Sequence, residues 1–134
     1  GDGTYTVPIK MKTASVTLDT SGATTDVNDF FPKGCVPLSI TIKVTTAISV
    51  GHHITGVGTD GDADKYAESI ANGKLDELGD TLTFAPFTTP AEGDSDDAYT
   101  AFSSDDKLRL TTAGTPTAGI VLVAMIFIDG ASLT

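Results

Sequence analysis

Residues 38–48 read LSITIKVTTAI. Leu38, Ile40, Ile42 and Val44 alternate with Ser39, Thr41, Lys43 and Thr45. That is a period of two, the signature of a strand with one face on a core and one in water. Branching at Cβ in Ile, Val and Thr restricts χ1 in a helix and suits a pleated surface. The stretch therefore predicts a long half-buried strand and sets the expectation for the rest of the chain.

Similar runs lie on both sides of it. Tyr5–Lys12 (YTVPIKMK) places Val7, Ile9 and Met11 on one face and Lys10 and Lys12 on the other, and Ser15–Leu18 repeats the alternation. Pro8 lacks an amide hydrogen, which places this first strand at a sheet edge. Residues 19–25 read as a turn, and Val27–Pro37 as an irregular loop whose Phe30 and Phe31 tuck under the sheets. Strands are predicted at Val50–Val57, Thr81–Phe87, Tyr99–Phe102 and Lys107–Thr112, the last with Leu108 and Leu110 inward. Gly119–Ile128 (GIVLVAMIFI) is the most apolar run. It predicts a central strand buried on both faces. Asp62–Ala71 (DADKYAESIA) predicts one short helix, capped by Asp62 or Asp64 and ended at Asn72–Gly73, with Tyr66 and Ile70 on one face. Strand and helix never alternate as they do in a βαβ protein. The expected fold is all-β: a two-sheet antiparallel sandwich of jelly-roll type with one short helix. At 134 residues it reads as a single domain, 1–134, with residues 1–12 as an N-terminal arm or edge strand.

Charge is unevenly placed. Residues 60–106 hold thirteen acids and two bases, a balance of −11, while the remainder holds five acids and six bases, a balance of +1. The acidic stretch reads as a solvated, self-repelling surface, or alternatively as a site for a cation or a basic partner. A net charge of −10 disfavours nucleic acid and anionic membranes as partners. The apolar run 119–128 is too short to span a bilayer as a helix. Cys35 is alone, so no intrachain disulfide forms, and the chain is expected to fold in a reducing cytoplasm.

Candidate chemistry is sparse. Asp60, Asp62 and Asp64 have the alternation of a calcium loop. Lys65 stands where such a loop needs Gly, however, and Ala71 where it needs a bidentate Glu. A polar turn is the plainer reading, and neither a metal nor another cofactor is expected. Asp94, Asp96 and Asp97 form a second acidic loop. His52 and His53 are neighbours on a predicted strand, so their side chains diverge. No nucleophile elbow, phosphate loop or dinucleotide fingerprint occurs, and the chain is not expected to be an enzyme. Phe84, Phe87, Tyr99 and Phe102 could form a carbohydrate-stacking platform, although core packing is the commoner fate of aromatic residues.

Val57–Gly58–Thr59, the turn Asp60–Asp64, and Thr112–Gly119 joining the last two strands together resemble the pattern of small structural proteins of tailed bacteriophages. The resemblance runs from Ser39 to the end, about two-thirds of the chain. It implies a capsid decoration or cement protein, a jelly-roll-like domain that forms trimers, or less often dimers, and stabilises the shell by binding the major capsid protein. Related domains also occur in fibres, which leaves a carbohydrate- or receptor-binding role as the alternative. A homotrimer on the virion is expected. Tyr5, Val7, Ile9 and Met11 are the candidate capsid-binding residues, acting through strand addition at an exposed edge.

Overall fold

The computed structural model describes residues 8–85 and 101–130. Seven strands run in chain order: β1 (Ile9–Thr17), β2 (Thr24–Phe31), β3 (Cys35–Thr46), β4 (Ile54–Thr59), β5 (Thr81–Phe84), β6 (Asp106–Thr112) and β7 (Ile120–Asp129). They form a four-stranded sheet in the order β1-β7-β3-β5 and a three-stranded sheet in the order β2-β6-β4. All the pairings are antiparallel. Three of them are nested: β1 with β7, β2 with β6, and β3 with β5. A long hairpin is thus rolled so that successive arms fall in alternate sheets, with β4 at its tip. This is the jelly-roll wrap.

The alternation read at residues 38–48 is what packs the sandwich. Ile40, Ile42 and Val44 are fully buried. So are Val121, Val123 and Met125 on the neighbouring β7, and Leu108 and Leu110 on β6. Each such side chain contributes about 1.5–3 kcal/mol by leaving water. Leu38 is only half-buried, because the register of β3 on β7 shifts between Pro37 and Ser39. Phe31 stacks on Phe102 at 4.6 Å and meets Phe30 edge to face at 5.3 Å, so the aromatic pair does lie under the sheets.

Several expectations need correction. No α-helix occurs among the described residues; 62–71 is a turn and a bend followed by irregular chain, with one bridge residue at Ala67. Its amides bond across to β4 rather than along a helix. Tyr66 N donates to the Val57 carbonyl, Val57 N to that of Ala67, and Ile70 N to that of Thr55. This strap runs antiparallel to β4 through the Val57–Ala67 bridge. Val27–Pro37 is not a loop throughout. It contains the end of β2 and the start of β3, hidden from the alternation by Asp29, which adopts a left-handed φ of 55°, and by a register shift between Val27 and Phe31. The predicted 50–57 strand starts only at Ile54, after a turn at Gly51. Ala101 and Phe102 are not in a strand, and the rest of the predicted 99–102 strand lies outside the described residues, as does Phe87. Lastly, β7 is central but not buried on both faces. Leu122 is 37% and Ile126 42% exposed.

Candidate functional site

β1 forms the edge that Pro8 predicts, paired to β7 from Ile9↔Ile128 to Thr17↔Ile120. The two short runs seen in the sequence are one continuous strand. Continuity fixes the facing, because side chains alternate without a break. Val16 is buried and Ala14 packs against the core, so the even positions point inward. Ile9 and Met11 therefore point out, and are 61% and 68% exposed. Lys10 and Lys12 take the inner side at the rim of the sandwich. Lys10 Nζ lies 2.6 Å from Asp129 Oδ2. Lys12 Nζ donates to the Asp29 carbonyl at 2.6 Å and sits 5.5 Å from the centre of the Phe30 ring. Lys12 thereby sets its charged end over the buried Phe30 ring at the rim of the core. Of the four candidate contact residues, Ile9 and Met11 share this exposed row, while Tyr5 and Val7 lie outside the described residues.

The acidic strap holds the other candidates. Asp62 N bonds to Thr59 Oγ1 at 3.1 Å, and the Asp62 carbonyl accepts from Thr59 N and Lys65 N. Asp64 lies with Asp62 and Glu68, whose hydrogen bonds hold the Asp64 carboxyl below its ordinary range. Asp60 is exposed, and its charge adds slightly to the field that favours the charged form of Arg109. The strap thus brings Asp62 and Asp64 together with Glu68, not with Asp60. Those three carboxyls do not converge as metal ligands, and no other group of three His, Cys, Asp or Glu side chains does so among the described residues. An open groove beside the strap is lined by Thr55, Gly56, Ala63, Asp64, Glu68 and Thr111. The strap's close approach was legible from one signal only, the glycines at 56 and 58. A Cβ on Gly58 would stand 2.2 Å from the Asp62 carbonyl oxygen.

The remaining candidates are occupied structurally. His52 and His53 precede β4 and turn apart. His52 Nδ1 shares a hydrogen bond with Ser49 Oγ at 3.0 Å, and His53 Nε2 donates to the Ile70 carbonyl at 3.0 Å. Burial pushes the Cys35 thiol up to about 12, so it is protonated at neutral pH. Phe84 and Phe102 pack against the core; Tyr99, Phe87 and the loop of Asp94, Asp96 and Asp97 lie outside the described residues.

No protein-family model matches the sequence, and no curated protein matches it. Solved structures do. The chain is similar to one in the cyanophage Pam1 capsid asymmetric unit, with a TM-score of 0.58 and 18% identity over 96% of this chain and 89% of that one. It is also similar to one in the capsid of Ralstonia phage GP4, with a TM-score of 0.51 and 15% identity over 97% and 88%. At these identities the shared property is the fold, an antiparallel β-sandwich also present in chains of two phage capsid structures.

Proposed function

We propose that this protein is a structural component of a phage virion, a decoration protein that stabilises the shell by binding major capsid subunits. The observation that carries the reading is the pair Ile9 and Met11, large apolar side chains left in water on an edge strand. A strand with a free edge and exposed apolar side chains is suited to pair with a partner's strand. The likeness to chains of two phage capsid structures supports the setting.

The protein performs no catalysis. It folds in the host cytoplasm as a single domain and acts on the virion surface as a homotrimer, matching the threefold positions of an icosahedral shell. The near-neutral segments outside residues 60–106 form the contacts between copies, because acids facing acids would repel. Tyr5, Val7, Ile9 and Met11 contact the capsid, and the segment before β1 serves as an arm that adds to a neighbouring sheet. Deleting residues 1–6 tests the arm. Loss of shell binding at an unchanged melting temperature is expected; unchanged binding would remove the arm from the mechanism. Light scattering of the isolated protein, together with averaging of particles that carry it, tests the trimer. A strictly monomeric protein at general positions of the shell would rule it out.

A further inference from the structure

The outer face of the β1-β7-β3-β5 sheet continues the exposed row of β1. Register places Met11 beside Ile126, Ile9 beside Ile128, and Ser15 beside Leu122. Thr41 and Thr83 share a hydrogen bond at 2.8 Å on the same face. The apolar side chains are gathered at β1 and β7, and hydroxyl side chains flank them on β3 and β5. Charge is nearly absent. Among the outward positions of the four strands there is no Asp or Glu, and Lys43 alone carries a charge. Asp129 ends β7 but sits on the inner parity, beside Lys10. In a chain of net charge −10 this is a marked segregation. Asp26, Asp64 and Glu68 belong to the opposite side of the sandwich, on or beside the β2-β6-β4 sheet.

An apolar centre with an uncharged polar border is the anatomy of a docking surface. We infer that this sheet face, centred on Met11, Leu122 and Ile126, is the surface that seats the protein on the shell. The inference rests on the decoration reading and adds which face turns inward. The partner is the outer surface of assembled capsid subunits, offering an apolar patch and a carboxylate opposite Lys43. Two features favour that occupant over a second copy of this chain. The apolar patch is on the order of 400 Å², a size that a soluble monomer tolerates. A stable pair needs about 800 Å² from each partner, so the patch alone does not hold two free copies together. A second copy would also bring Lys43 and no carboxylate to the face, whereas a partner with an acid there completes it. With this face inward, the acidic strap faces solvent and contributes no repulsion to docking.

The test uses shells of the cognate major capsid protein assembled without the decorating chain. The wild type is compared with Met11→Lys and Ile126→Lys, both at exposed positions. Val50→Lys and Leu78→Lys serve as controls, since those residues are 100% and 71% exposed but lie outside the four strands of the face. Each face variant is expected to bind about tenfold more weakly or worse, with its melting temperature within a few degrees of wild type. The controls are expected to bind as wild type does. If the face variants bind as well as wild type, the inference is overturned while the decoration reading stands. If they bind weakly because they have lost self-association, the face lies between copies and the inference is again overturned. If the wild type itself fails to bind, the decoration reading falls, independently of any variant. Met11→Gln, a milder change on the edge strand, keeps the test open should Ile126→Lys disturb folding.

Discussion

At the scale of single residues, two side chains make the fold's physics measurable. Cys35 is completely buried and its thiol is protonated far above neutrality, because burial penalises the thiolate. A thiolate-selective reagent at pH 8 is therefore expected to label it only when the domain opens globally, and at once in denaturant. Prompt labelling of the native protein would show that β3 opens locally. Asp26 meets Arg109 with two hydrogen bonds, at 2.8 and 2.9 Å, directly across the β2–β6 ladder. The guanidinium holds the Asp26 carboxyl below its ordinary value of 3.8. Because the folded value is the lower one, the pair's contribution is complete above about pH 4 and is lost as pH falls through the folded value. Both partners are partly exposed, so the contribution is about 0.5–1 kcal/mol. Denaturant titrations of wild type and Asp26→Asn should differ by that amount at pH 6 and converge near pH 2. A difference that persists at pH 2 would assign the effect to packing instead.

At the scale of elements, the strap over β4 depends on missing side chains. A Cβ at Gly58 would meet the backbone of Asp62 and Ala63 at 2.2–2.6 Å, while one at Gly56 would find its nearest atom at 3.4 Å. Gly58→Ala is expected to cost about 1–3 kcal/mol as the strap is pushed away, and Gly56→Ala clearly less. Equal losses in urea melts would show that the approach at Gly58 relaxes freely. The strap also marks the limit of what the sequence reveals. DADKYAESIA carries helix-forming residues and a Tyr66/Ile70 pair four apart, so local propensity favours a helix. The open edge of β4 offers its amides other partners, and tertiary pairing wins. The middle of β3, together with β5 and β6, was legible because alternation runs unbroken through Ile40–Val44, Thr81–Phe84 and Lys107–Thr112. β2 was not, since the left-handed Asp29 and a register shift interrupt the pattern. The exposure of Leu122 and Ile126 was equally hidden, because an all-apolar strand does not announce which face stays wet. Ile9 and Met11 were identifiable as candidates. Their outward direction follows only once Ile9–Thr17 is known to be one strand, where they fall on the opposite parity from Val16.

At the scale of the whole molecule, the two sides of the sandwich differ in kind. Among the described residues, Asp26, Asp64 and Glu68 lie on or beside the β2-β6-β4 sheet, whereas the outward positions of the β1-β7-β3-β5 strands carry Lys43 as their one charge. The nested pairing that builds these sides has a further consequence, in time. The strap reaches β4 across about ten residues, whereas β1 and β7 are separated by more than a hundred. Closing a long loop costs more entropy than closing a short one, and each inner pair shortens the loop left for the next. Folding is thus expected to proceed from the β4 tip outward through β3·β5 and β2·β6, with β1 docking last. Kinetics of buried truncations test the order. Val57→Ala in β4 should slow refolding, with φ above about 0.5, while Val16→Ala in β1 should chiefly speed unfolding, with φ below about 0.3. The reverse pattern would place the nucleus at the chain's first strand. Until β1 docks, β7 offers its whole bare edge to any neighbouring chain, so the interval before that last step is when crowded copies are most prone to pair wrongly.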